Sequence, residues 1–305
     1  MNIKGYNVID LFCGCGGLSL GFQNAGYNIV AAFDYWDVAL NIYRRNFDHP
    51  VYKRDLSDLT DLSDLESFHP DIIIGGPPCQ DYSTAGCRDE TRGRAALTVS
   101  YARIIEKLRP KYFLMENVAV IEKSESFRIV NEIFRQAGYG LNQLILDASK
   151  CGVPQIRKRH ITFGVLGGKD QVAVEIFKTG QSEKSMTMRD YFGDTLGFEY
   201  YFRVPTSYKR RGIYSISEPS MTIRGVDRPV PKGYKGHPAD PVPLSPEIRA
   251  LTPKERSLIQ TFPIDFIWEG SKTNLNQAIG NAVPVKLGEY VANCIKQYIY
   301  ANATC

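Results

Sequence analysis

A single thiol, Cys79, sits in the middle of the run Gly75-Gly76-Pro77-Pro78-Cys79-Gln80-Asp81-Tyr82-Ser83. The run follows Asp71-Ile72-Ile73-Ile74, whose β-branched apolar residues predict a short buried parallel strand. Proline fixes φ and has no N–H, so Cys79 can neither continue that strand nor open an ordinary helical turn. Open α/β sheets bind their ligands at the carboxyl ends of strands. A thiol held there is a candidate nucleophile. A buried, inert cysteine is the alternative, and position alone does not separate the two.

Other chemistry-bearing residues recur at the ends of predicted strands. Strand 1 runs into Asp10-Leu11-Phe12-Cys13-Gly14-Cys15-Gly16-Gly17, where glycines let a backbone approach a ligand. This is not a dinucleotide fingerprint, because the third glycine position after Gly14-x-Gly16 is Ser19. Strand 2 ends in Asp34, placed to hold ribose hydroxyls, and strand 3 is followed by Asp55. Together they suggest a cofactor that contains a nucleoside but needs no pyrophosphate cradle.

The elements that must carry these residues alternate along the first two-thirds of the chain. Strands are predicted over 6–12, 28–33, 51–53, 71–74, 111–115, 139–146 and 159–165. Helices are predicted over 18–25, 37–46 and 122–137. That alternation implies a doubly wound, mostly parallel α/β sheet. From about Gly167 to Pro253 the texture changes to Pro, Gly, Tyr and Arg, which reads as a smaller, loop-rich, partly β module. Helices over 253–262 and 285–301 follow. We expect one domain from residues 1–180 plus 275–305 and a second from 181–274.

Composition sets the limits. The 305 residues are 43% hydrophobic and 23% charged, an ordinary balance for a packed core. No apolar run spans a bilayer and no secretory signal opens the chain. Seven cysteines, an odd number, point to reduced thiols in a cytosol. Cys13 and Cys15 have no second pair at zinc spacing, so no metal is expected. The net charge is +4, but residues 200–240 hold eight basic and three acidic side chains, leaving the rest of the chain at −1. A positive segment of this kind suits phosphates, the alternative being a solvated face.

In order along the chain, the motifs resemble the DNA (cytosine-5)-methyltransferase family. Asp10–Gly17 looks like its cofactor loop and Gly75–Ser83 like its nucleophile motif. Glu116-Asn117-Val118 matches Glu-Asn-Val, and Gln155-Ile156-Arg157-Lys158-Arg159 matches Gln-x-Arg-x-Arg. Arg249-x-Leu251-Thr252-Pro253-x-Glu255 with Gln260-x-Phe262-Pro263 matches the return from the recognition region. Gln277-x-x-Gly280-Asn281-Ala282-Val283-Pro284 matches the final motif. Six motifs in the right order, over nearly the whole chain, make the match specific.

The resemblance implies a Rossmann-like fold using S-adenosyl-L-methionine, with cytosine in double-stranded DNA as acceptor and a target-recognition domain in the basic segment. It implies Cys79, Glu116, Arg157 and Arg159 as the catalytic set. Asp10, Phe12, Gly14, Gly16, Gly17 and Leu18 would hold the cofactor from the first loop. Asp34, Tyr35, Asp55 and Leu56 would do so from the next two strands, and Pro78, Leu97, Asn281 and Val283 from later segments. DNA would be met by Gln80, Ser83, Arg88, Arg92 and Gln155. In the recognition region Arg210, Arg211, Thr222, Arg224, Arg228 and Lys232 would meet it. A compact bacterial enzyme of this kind is expected in the cytoplasm, at the nucleoid when bound to DNA, as a monomer. Its functional partner would be a restriction endonuclease.

The chemistry accounts for the residue types independently. Cytosine C5 is a poor nucleophile until a thiolate adds to C6. A carboxyl group at N3 eases that addition. An arginine fork suits the cytosine carbonyl or a phosphate. The target base must leave the duplex to be reached. Three other readings remain. A tRNA cytosine methyltransferase is disfavoured by the missing Cys-Phe-Thr tripeptide. An inactive DNA-binding homologue is disfavoured by the intact Cys79, Glu116 and Arg159. A Rossmann oxidoreductase is disfavoured by Ser19.

Overall fold

The structure, a computed structural model, describes residues 3–78, 95–205, 207 and 210–302. Short β-branched and aromatic runs form β1 (Asn7–Leu11), β2 (Asn28–Asp34), β3 (Val51–Lys53), β4 (Ile72–Gly75) and β5 (Tyr112–Val118). β6 (Tyr139–Asp147), the two-residue β7 (Gln155–Ile156) and β8 (Lys158–Leu166) follow. The helices among them are α1 (Gly17–Asn24), α2 (Asp37–Arg44), α3 (Ser63–Glu66), α4 (Ala95–Leu108) and α5 (Glu125–Gln136).

Seven of these strands make one sheet in the order β3-β2-β1-β4-β5-β8-β6. The five from β3 to β5 are parallel, while β8 runs antiparallel to both β5 and β6. Strand order reverses between β1 and β4, the switch point where an open α/β sheet leaves a crevice. The strands are apolar throughout because both faces are covered. Ile9, Leu11, Ile73, Phe113 and Met115 face a core closed by α4 and α5. Val8, Ile72, Ile74 and Leu114 face the opposite core. That second core is closed by α1 and the last helix.

Beyond β8 come α6 (Val174–Thr179), α7 (Met188–Phe192), β9 (Tyr200–Phe202), β10 (Ile213–Ser215) and β11 (Ser220–Met221). The chain ends with α8 (Pro253–Ile259), α9 (Lys272–Asn281) and α10 (Val285–Asn302). The loop-rich region packs a core of Met188, Tyr201, Tyr214, Ile216, Ile223, Leu251 and Ile259, which Ile279 of α9 joins. Among the described residues no helix is long and apolar enough to cross a membrane.

Two helix boundaries differ from the sequence expectation by three residues, each for a local reason. The helix expected from Glu122 starts at Glu125, because the Ser124 hydroxyl caps it by accepting from the Phe127 N–H at 3.0 Å. The helix expected to reach Phe262 stops at Ile259. Gln260 turns its amide into the core there, and Thr261 takes φ 62°. α4 and α9 are further helices that periodicity did not reveal.

Candidate active site

The crevice at the switch point is a cleft of about 600 Å³, walled by the ends of β1, β2, β4 and β5 and by α9. From the expected cofactor set it collects Asp10, Phe12, Gly14, Leu18, Asp34 and Tyr35. It also collects Asp55, Leu56, Pro78, Leu97, Asn281 and Val283, and it brings Glu116, Arg157 and Arg159 to the same space. Gly16 and Gly17 are behind the wall instead. A Cβ on Gly16 would meet the Phe47 ring at 2.3 Å, and one on Gly17 would meet the Val283 carbonyl oxygen at 2.1 Å. Their smallness lets α1 pack, so their link to the cleft is indirect.

The first loop is shaped by Asp34. Its Oδ2 accepts from the Gly14 N–H and its Oδ1 from the Trp36 N–H, both at 2.8 Å. Gly14 takes φ 55°, and an added Cβ there would meet nothing within 4 Å, so the loop's backbone is open to a ligand. Phe12, at φ 58°, combines a place in the cleft wall with packing against the sheet core. A non-glycine residue at positive φ is strained and is retained where the surroundings impose it. Tyr35 is 65% exposed at the rim, with the Lys53 ammonium 5.4 Å from its ring centroid, so it is not a core aromatic. Sequence reasoning did not single out Trp36 and Arg54, which also line the cleft. An aromatic directly after Asp34-Tyr35 was the available signal for Trp36.

Asp34→Ala is expected to weaken binding of S-adenosylhomocysteine by about 1.5–3 kcal/mol, the range for hydrogen bonds to a charged group. Non-specific DNA affinity should not change. Titration calorimetry checks this, and unchanged affinity for the cofactor product would leave Asp34 a purely structural loop anchor.

Asp10 has no exposed surface. Its Oδ2 accepts from the Ser19 hydroxyl at 2.6 Å, and Ser19 Oγ accepts in turn from the Tyr43 hydroxyl at 2.7 Å. Burial pushes the Asp10 carboxyl up to about 7, against the Ser19 hydrogen bond and with a smaller contribution from Asp34. In the unfolded chain an aspartate ionises near pH 4, about 3.9. Across that interval the folded protein therefore binds more protons, and stability falls as pH rises, levelling off above pH 7. Asp10→Asn is expected to remove this decline, which urea unfolding between pH 4.5 and 7.5 reads. An unaltered slope would show that Asp10 ionises normally in the folded protein.

The turn that leads to Cys79 is fastened to β5. Asn117, 3% exposed, donates from Nδ2 to the Pro77 carbonyl at 3.0 Å. A Cβ on Gly76 would lie 3.4 Å from Glu116 Oε2, so the turn passes close over that carboxylate. Cys79 itself, with Gln80, Ser83, Arg88 and Arg92, lies outside the described residues.

β5 and β8 are antiparallel with Val118 opposite Arg159, which makes Glu116 the diagonal neighbour of Arg159 on one face. The two form an ion pair, Nε to Oε1 2.8 Å, with side chains 12% and 10% exposed. Burial lowers the Arg159 pKa from its usual value, with Glu116 opposing the shift. An anion and a cation thus share one nearly dry wall, where each is worth more to a ligand than it would be in water.

Arg157 departs from the catalytic expectation. It is 3% exposed, and its two terminal nitrogens donate to three carbonyls, those of Ile223 (2.9 Å), Gly280 (3.1 Å) and Ala282 (3.1 Å). It thereby ties segments together at the cleft wall. Gln155 was expected at the DNA, yet it is fully buried with both ends of its amide bonded inside the protein. Arg211 pairs with Glu218, and its guanidinium lies 4.4 Å from the Tyr214 ring centroid, so it is committed internally. Arg224 is half-buried and donates to the Val204 carbonyl at 3.0 Å. The Thr222 hydroxyl donates to the Ile156 carbonyl at 2.7 Å. Arg210, Arg228 and Lys232 are exposed.

This architecture recurs in solved structures. One is a DNA modification methyltransferase described as putative, encoded in an Escherichia coli prophage, with TM-score 0.71 and 23% identity over 97% of this chain and all of that one. Another is the Dnmt2 methyltransferase of S. pombe, TM-score 0.71 and 21% identity over 96% and 99%. At such identities the likeness concerns the fold. Sequence relatives are nearer. The type II methyltransferase M.HindV of Haemophilus influenzae is 51% identical over 290 residues, 94% of this chain and 95% of its own length. M.HgiDI of Herpetosiphon aurantiacus, also a type II methyltransferase, is 48% identical over 293 residues, 96% and 94%. The family model for C-5 cytosine-specific DNA methylase matches residues 6–210 and 197–297, so it spans both the sheet and the loop-rich region. With that extent of match and relatives at about half identity, the chain belongs to the C-5 cytosine-specific DNA methylase family and is a DNA (cytosine-5) methyltransferase.

Proposed function

We propose that the protein methylates C5 of a flipped-out cytosine within a particular sequence of double-stranded DNA, acting as a monomer through a covalent adduct between Cys79 and C6. The observation that carries this reading is the convergence, in one cleft, of the turn before Cys79 with the Glu116–Arg159 pair. The cleft suits S-adenosyl-L-methionine. Its wall offers a glycine loop open to a ligand, aromatic residues Phe12, Tyr35 and Trp36, and carboxylates Asp34 and Asp55. When bound there, the cofactor supplies an electrophilic methyl group.

The protein's own residues do the rest. Glu116, protonated as the base enters, passes its proton to N3 of the cytosine while the Cys79 thiolate adds to C6, which makes C5 enamine-like, and takes that proton back when the thiolate leaves. Arg159 keeps Glu116 oriented and presents its remaining N–H groups to the cytosine carbonyl or a phosphate. After methylation of C5, its proton passes to water, the C6–S bond breaks and the thiolate is restored. Exposed Arg210, Arg228 and Lys232 meet the DNA, with Thr222 and Arg224 beside them. The apolar core of the loop-rich region, shared with α9 through Ile279, supports its reading as a recognition domain over residues 181–274. The type II names of the relatives support pairing with a restriction endonuclease that this methylation would blind.

Bisulfite sequencing of a plasmid from cells expressing the protein tests the proposal. Protected cytosines confined to one recurring sequence are expected. A plasmid with no protected cytosine would overturn it.

A further inference from the structure

The segment from Ser220 to Arg224 is bolted to β7, which leads directly into β8, the strand that carries Arg159. Ser220-Met221 pairs in parallel with Gln155-Ile156, and the Ser220 N–H donates to the Pro154 carbonyl at 2.9 Å. Ile223 is gripped at both backbone groups. Its N–H donates to Gln155 Oε1 at 2.9 Å, and its carbonyl accepts from Arg157 Nη1 at 2.9 Å.

Behind that grip lie two fully buried amides, Gln155 and Gln260. Gln260 Nε2 donates to the carbonyls of Ile279 (2.6 Å) and Ala282 (3.1 Å). Those carbonyls only accept, so Gln260 must turn Oε1 towards Gln155. Gln155 answers with Nε2 at 2.8 Å, which leaves its own Oε1 for the Ile223 N–H. Reversing either amide would set donor against donor or acceptor against acceptor in a dry core, so a single arrangement survives. An apolar pair could fill the same volume and still let the segments slide. α9 adds a close approach, since a Cβ on Gly280 would lie 2.1 Å from the Gly225 nitrogen.

We propose that Gln155 and Gln260 are positioning residues that transmit target recognition to catalysis. They hold Ile223, and with it Thr222 and Arg224, in register with Arg159 and Glu116, so that a wrong base is penalised in the reaction step as well as in binding. This rests on the reading above that the segment meets DNA. A merely structural role would instead weaken every activity together.

The test compares wild type with Gln155→Met, Gln260→Met and the double variant. Each is given duplexes carrying the site found by bisulfite sequencing and duplexes differing from it by one base pair. For each Met variant, affinity for duplex and for S-adenosylhomocysteine should stay within about twofold of wild type. The single-turnover rate on the correct site should fall about 10- to 100-fold, while the rate on the altered site hardly moves. The double variant should be no worse than either single one, because the amides act as a unit. An equal loss on both duplexes, or full discrimination in the variants, overturns the proposal. A readout on wild type alone guards against variants that do not fold. Amide exchange of residues 220–224 should be slowed about tenfold more by the correct duplex than by the altered one. Equal protection overturns the proposal. A wild-type enzyme with no preference between the duplexes would overturn the functional reading instead.

Discussion

A Cys79→Ser enzyme is expected to bind cofactor and DNA and to transfer no methyl group, its turnover falling by at least about 10³-fold. A serine hydroxyl is scarcely ionised at neutral pH, and cytosine C6 is a weak electrophile, so addition stalls before C5 is activated. The fold should not notice so small a change, and the turn before it is fastened by the Asn117 bond to the Pro77 carbonyl. Filter binding and a tritiated methyl-transfer assay read the two halves of the expectation. A second readout addresses the adduct itself. DNA with 5-fluorocytosine at the target cannot lose a proton from C5, so wild type should form a complex that survives denaturation and the serine variant should not. Near-normal turnover by Cys79→Ser would end the nucleophile assignment.

Glu116→Gln is expected to lower the methyl-transfer rate by about 10²- to 10⁴-fold, the span of a general acid–base contribution. The amide keeps the size of the side chain but cannot transfer a proton to N3. It also removes the anion facing Arg159, whose side chain is 12% exposed, leaving a nearly buried cation without its counter-charge. A lowered melting temperature should therefore accompany the loss of rate. Cofactor affinity should persist, since Asp34, Asp55 and the Gly14 loop are untouched. Pre-steady-state kinetics with 5-fluorocytosine DNA separates the effects: slowed trapping places Glu116 in the addition step. Normal trapping with slow turnover would move its role to a later step.

The two variants mark out a division of labour in the cleft. The wall formed by β1, β2 and α9 holds carboxylates and aromatics suited to a nucleoside, whereas β5 and β8 hold the ion pair. The switch point between β1 and β4 sets these two walls side by side. The segment proposed to meet DNA pairs through β11 with β7, just before β8 in the chain.

The residues proposed for the chemistry were legible in the sequence because their positions are set by short-range rules. A β-branched run followed by Gly-Gly-Pro-Pro can present Cys79 only at a strand's carboxyl end. Asp10, Asp34 and Glu116 follow or end apolar runs in the same way. Seven strands and five of the ten described α-helices could be placed by periodicity, which is a property of neighbours. What the chain's order could not reveal is which long-range partner consumes a polar group. Gln155 and Arg157 sit inside a motif, and their types alone suited DNA and catalysis. Folding brings Ile223 and Gln260, 68 and 105 residues away from Gln155, against that amide. It likewise brings the carbonyls of Gly280 and Ala282 to Arg157. The same holds for Arg211, claimed by Glu218 and Tyr214, and for Gly17, whose smallness answers to the Val283 carbonyl. Residue type and spacing determine which groups can bond, and the order of strands determines which buried groups compete for them. Only the tertiary structure decided that contest here, because a hydrogen bond satisfied in the core is withdrawn from the ligand.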